Sequence, residues 1–122
     1  MFPYELYKIL HVIGILAVWT ALGALALHGA AGGTKETNPF RKGTAITHGV
    51  GMLLILVGGF GMLARLGASA GHGWVGAKLL IWLLVGGMVA LPLRKPALAG
   101  PIFFALPVLG GLAAAIALYK PF

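Results

Sequence analysis

The chain has 122 residues, enough for one domain; 60% are hydrophobic, 9% are charged and the net charge is +7. Soluble domains carry roughly 45–50% apolar and about 25% charged residues. A chain this small cannot hide so much apolar surface in its own core, so a soluble fold is excluded and the lipid bilayer is its solvent. The basic residues gather mostly at segment ends, where they meet anionic headgroups or set topology, and no basic stretch is interleaved with aromatics. Nucleic acid is therefore not an expected partner. The absence of cysteine excludes disulfides, thiolate metal sites, iron–sulfur clusters and c-type haem attachment.

Four apolar segments follow one another, at about residues 4–28, 44–64, 74–93 and 98–119. Each is near the ~20 residues a helix needs to span the hydrocarbon. Alternating polarity of the β type is absent, and in lipid only helices or closed barrels satisfy the backbone. The expected fold is all-α: a single transmembrane domain built as a four-helix bundle. Short links make consecutive helices antiparallel, which gives an up-down-up-down order. The first segment does not read as a cleaved leader, because no basic cluster precedes it and its apolar run to Leu27 is too long.

On the first segment Tyr4, Lys8, His11, Ile15 and Trp19 recur at intervals of three and four, so they share one helix face. The loop after it, 29–43, is the longest. The second segment holds His48, Met62 and five glycines, Gly49, Gly51, Gly58, Gly59 and Gly61. Small residues let membrane helices approach closely; a shallow groove for a flat cofactor or a lipid is the alternative reading. On the third segment Trp74, Lys78 and Trp82 recur at intervals of four. In the fourth, Gly111 and Ala115 form a small-xxx-small pair suited to a homo-oligomer, and Pro107 predicts a kink that frees the Phe103 carbonyl.

An ionisable group within a membrane segment is costly and marks a functional site by default. At ~1.5 Å per residue, His11 and Lys78 both lie roughly 9 Å from the midplane toward the N-terminal face, with Met62 at about 10 Å. His48 lies about 10 Å away on the other side, roughly 19 Å of depth from His11, which makes the two a poor bis-histidine pair. If the stripes of helices one and three meet, they line a site with an imidazole, an ammonium and several aromatics, suited to a flat, anionic, partly apolar ligand. The plainer alternatives are that Lys78 snorkels to the headgroups, that Trp74 and the tyrosines form an interfacial belt, and that His11 bonds a neighbouring helix. His28 and His72 read as solvated loop-end residues. Neither glutamate has a second carboxylate nearby, and no nucleophile elbow, P-loop or HExxH motif occurs. The sequence presents no recognisable catalytic residue.

Three blocks carry a family likeness. Leu6-Tyr7-Lys8-Ile9-Leu10-His11-Val12-Ile13, followed by Trp19, is similar to the first helix of the HemJ family of membrane protoporphyrinogen IX oxidases. Gly73-Trp74-Val75-Gly76-Ala77-Lys78-Leu79-Leu80 resembles the start of its third helix, and Leu106-Pro107-Val108-Leu109 with Lys120-Pro121-Phe122 resembles its last helix and C-terminus. The resemblance implies a helical membrane bundle that handles porphyrin, with haem b as cofactor and with His11 and Lys78 functionally required. Two family features are replaced: a basic residue late in helix one by the apolar run Leu22 to Leu27, and a histidine-bearing end of helix three by Val89-Ala90-Leu91-Pro92-Leu93.

The expectation is therefore a membrane protein that binds haem or porphyrin, with an oxidase reaction the less favoured outcome. His11 is the axial iron ligand, Met62 a second one, Lys78 the partner of a propionate, and Trp19, Trp74 and Trp82 line the site. The alternative is a non-enzymatic accessory subunit of a larger membrane complex. The positive-inside balance, Lys35, Arg41, Lys42, Arg94 and Lys95 against Lys8, Arg65, Lys78 and Lys120, puts loop 29–43 in the cytoplasm, with a bacterial inner membrane as the expected setting.

Overall fold

A computed structural model describes residues 2–122. The chain folds into helices α1 (Tyr4–Ala30), α2 (Arg41–Leu66), α3 (Gly73–Gly87), α4 (Leu91–Arg94) and α5 (Ala99–Tyr119), with no strand among the described residues. Four stretches, Tyr4–Ala30, Arg41–Leu66, Gly73–Arg94 and Pro96–Tyr119, are long and apolar enough to cross a bilayer. The chain is a helical membrane protein with the four spans anticipated from hydropathy. Many of its large apolar side chains are exposed, as the bilayer allows: Leu16, Leu53, Leu80 and Phe104 among them.

The third span is not the continuous helix its hydropathy suggests. After Gly87 the chain tightens into a 3₁₀ turn, Met88–Ala90, before the single turn of α4. Pro92 is the cause. It has no N–H to give the Met88 carbonyl, which instead accepts from Leu91 N–H in the shorter 3₁₀ pattern. Pro92 is fully buried, and Gly29 of α1 lets this segment close in, since a Cβ there would stand 2.5 Å from the Pro92 carbonyl oxygen. α5, by contrast, stays helical through Pro107.

α2 stops at Gly67 (φ 67°), where Ala68 N–H bonds the Leu63 carbonyl and Gly67 N–H the Ala64 carbonyl. That is a Schellman end, and its left-handed position suits glycine.

Consecutive helices are neighbours, and α5 returns against α1. α1 and α2 are the most closely packed pair. At their crossing Gly14 and Gly51 face each other, where a Cβ on either would lie 2.7–2.9 Å from the other's carbonyl oxygen. Without a hydrophobic drive between helices in lipid, such close backbone packing supplies much of the association energy.

The packed core is lopsided. Val18, Leu22, Ala26, Val85, Met88, Ile102 and Leu106 fill the half of the bundle that holds the C-terminal part of α1, the end of α3 and the start of α5. The other half, at the level of the N-terminus, is not filled.

Candidate functional site

That unfilled half is a cleft of about 560 Å³, lined by all four long helices. The volume falls within the ~300–1,000 Å³ of small-molecule sites. His11, Lys78, Met62, Trp19, Trp74 and Trp82, the six residues proposed from the sequence, all line it. The stripe Tyr4, Lys8, His11, Ile15, Trp19 of α1 therefore faces the stripe Trp74, Lys78, Trp82 of α3 across one cavity. Ile55, Gly59 and Leu63 of α2 and Ala113, Ala114 and Ala117 of α5 complete the walls.

His11 is held by α2. Its Nδ1 lies 2.8 Å from the Ile55 carbonyl oxygen. A carbonyl can only accept, so Nδ1 carries the proton, and in the neutral ring Nε2 then keeps its unshared pair. Gly58 lets the α1 backbone at His11 come close to α2, and Gly59 stands beside the ring. A Cβ at Gly58 would stand 2.6 Å from the His11 backbone nitrogen, and one at Gly59 would touch the ring at 3.4 Å. Met62 lies one turn past Gly58 on α2, so it shares the α1–α2 wall with His11, while Lys78 and two of the tryptophans occupy the α3 wall.

The other polar rings of the cleft also bind across helices. Trp19 donates Nε1–H to the Leu106 carbonyl of α5 at 2.6 Å, and Trp82 donates to the Met52 carbonyl of α2 at 3.0 Å. Each leaves its ring face to the cavity wall and its N–H satisfied, which is the arrangement a buried indole requires.

Positive charge collects at the open end. Lys8, Lys78 and Lys120 all line the cleft, and no carboxylate does. Lys78 is half-buried; Lys8 and Lys120 are exposed. Lys120 sits in a left-handed turn after α5, donates to the Ala117 carbonyl at 3.0 Å, and places Nζ 5.3 Å from the centre of the Trp74 ring. Phe122 laps the start of α3, its carbonyl accepting from Trp74 N–H at 3.0 Å. Lys120 as a lining residue escaped the sequence reading; its only signal there was its placement on the same face as Lys8 and Lys78.

The remaining histidines lie elsewhere. His48 is buried and bonds the Val85 carbonyl through Nε2 at 3.1 Å, tying α2 to the end of α3 in the packed half. This is an interhelix strut rather than a cap on α2. His28 folds onto its own loop, Nε2 lying 2.8 Å from the Thr34 carbonyl oxygen. His72 is exposed and stacks on Trp74. Among the described residues no three His, Cys, Asp or Glu side chains group to hold a metal ion. An iron in the cleft would thus need a ligand that brings most of its own donors.

No family model matches the chain, and no curated protein or solved structure matches it.

Proposed function

We propose that the chain is a membrane protein that binds a flat, largely apolar, anionic ligand of the haem or porphyrin class in the cleft. The observation that carries this reading is the state of His11. Its Nδ1–H is committed to the Ile55 carbonyl, which leaves Nε2 as an acceptor on a cavity wall. Metal-ligating histidines are typically oriented in this way, with the other ring N–H held by a backbone carbonyl. A tetrapyrrole supplies four of its iron's donors itself, which suits a site with one histidine.

The rest of the donor set is consistent with such a ligand. His11 would hold the iron, and Met62, expected from the sequence as a second ligand, lines the same α1–α2 wall and so does not face His11 across the cleft. Lys78, half-buried on the opposite wall, would pair with a carboxylate, and Trp19, Trp74 and Trp82 would cover the ring. Bound haem would supply a redox-active iron. The resemblance to the HemJ family supports the same assignment. Binding is the proposed activity, with His11 and Lys78 as the groups that touch the ligand.

The charge distribution supports a cytoplasmic loop between α1 and α2 and a location such as a bacterial inner membrane. The test is the absorption spectrum of gently purified protein, oxidised and reduced. A Soret band present in the native chain and missing from folded His11→Ala is the expected result. A folded but colourless protein that also fails to take up added haem would reject the assignment and favour an accessory role in a larger membrane complex.

A further inference from the structure

The four seams between neighbouring helices are not equally closed. α1 and α2 are pressed together along the cleft: a Cβ at Gly58 would meet the Tyr7 carbonyl oxygen at 2.7 Å, and Gly61 lies against the Tyr7 ring. α1 and α5 are joined by the Trp19–Leu106 bond and by the closeness that Gly110 allows. α3 and the end of α5 are bridged by the C-terminal residues, through Phe122 on Gly73 and Trp74 and through Lys120 over Trp74.

α2 and α3 approach each other least of the four pairs. Two hydrogen bonds join them, Trp82 to Met52 and His48 to Val85, and Met52 also rests against Gly86. All of these contacts lie at or beyond the inner limit of the cleft. From there toward the N-terminal face, Leu56 to Leu66 of α2 and Trp74 to Ile81 of α3 stand on opposite sides of the cavity. Phe60 and Leu66 line it and are exposed, at 42% and 60%.

We propose that the ligand reaches the cleft sideways from the bilayer, between α2 and α3. The inference rests on the haem or porphyrin reading and adds the route. The physical case is one of charge and depth. Lys8, Lys78 and Lys120 mark the end of the cleft nearest the headgroups. A flat amphiphile in the same leaflet already holds its apolar body in the hydrocarbon and its carboxylates at the interface. It can slide between α2 and α3 without carrying a charge through the hydrocarbon and without returning its body to water, and both of those steps are costly. Phe60 of α2, which lines the cleft and is exposed, is the side chain this route would bring against the ligand.

The test uses the full chain in phospholipid vesicles, with haem delivered from a second vesicle population as the probe. Because the chain has no cysteine, Phe60→Cys with Leu79→Cys gives one addressable pair, joined by a short bis-thiosulfonate strap that a reductant removes. Strapping before loading should slow haem uptake about tenfold or more, reversed on reduction. Strapping after loading should trap the haem. Phe60→Ala, which needs no strap, should speed haem release. Unchanged uptake through a complete strap, or expulsion of haem already bound, overturns the sideways route and leaves the haem reading standing. A native chain that takes up no haem overturns both.

Discussion

Trp19 donates its indole N–H to the Leu106 carbonyl, and it reaches that atom because residue 110 is glycine: a Cβ there would stand 3.3 Å from the same nitrogen. His11 repeats the pattern against α2, bonding the Ile55 carbonyl with Gly59 four residues further on. In both cases a glycine stands one turn beyond the carbonyl that the ring binds, at a tight distance for Gly110 and at ordinary contact distance for Gly59. Both are interhelix ties from a side chain to a backbone carbonyl. Gly110 therefore serves a polar contact, while Gly14, Gly51 and Gly58 serve close backbone packing.

Trp19→Phe keeps the ring's bulk and removes the donor. The bond should be worth about 0.5–1.5 kcal/mol, near the lower end because helices unfolded within a membrane find other partners. Thermal unfolding in detergent should shift down by a few degrees. A variant as stable as the native chain would show that the tie contributes nothing.

Gly58 and Gly111 should respond in opposite ways to alanine. At Gly58 a Cβ would lie 2.6 Å from the His11 nitrogen and 2.7 Å from the Tyr7 carbonyl oxygen, both backbone atoms, so α1 and α2 must separate. We expect Gly58→Ala to cost about 1–3 kcal/mol. At Gly111 a Cβ meets nothing, and the better helix propensity of alanine should leave the monomer unchanged or up to about 1 kcal/mol more stable. Equal effects at the two sites, measured by denaturant unfolding in micelles, would contradict the packing described.

The arithmetic of helix rise was enough to bring His11 and Lys78 to one level in the sequence, and the three- and four-residue spacing was enough to put Trp19, Trp74 and Trp82 with them. These are properties of a single straight helix, and they survive folding. What binds one helix to another is different. The bonds from His48 to Val85 and from Trp82 to Met52 join side chains to backbone carbonyls, and a carbonyl has no signature in a sequence. The break after Gly87 had a signature in Pro92, but hydropathy sees proline in an apolar run as one more lipid-soluble residue. The lopsided core also could not be read, because Val18 and Ile15 look alike until their neighbours are known.

His48→Ala and His11→Ala should separate structure from binding. His48 is only 7% exposed, and its loss removes the bond to the Val85 carbonyl and leaves a cavity, so stability should fall by about 2–4 kcal/mol. Folded His48→Ala should still bind haem at the native ratio. His11→Ala should lose the haem while unfolding within about 1 kcal/mol of the native chain, since only one partly buried bond goes with it. Haem lost from folded His48→Ala and kept in His11→Ala would reverse the assignment.

Lys78 offers the sharpest check on the ligand's charge. Its ammonium is half-buried on the α3 wall, with Lys8 and Lys120 nearer the surface and no carboxylate lining the same cavity. A charge-assisted bond in such a place should be worth about 1.5–3 kcal/mol, which is roughly a ten- to hundredfold change in affinity. Lys78→Met should weaken haem binding by that factor, and Lys78→Arg should restore much of it. The dimethyl ester of haem, which has no free carboxylate, should bind the native chain and Lys78→Met alike. Raising the salt concentration should weaken the acid form only modestly through Lys78, because a partly buried pair is less screened than the exposed Lys8 and Lys120. Titration of both haem forms into detergent-solubilised protein, followed by the Soret band, gives all of these numbers. An equal loss for the acid and the ester in Lys78→Met would mean that the side chain supports the cleft by its shape, and the ammonium would then have no part in choosing the ligand.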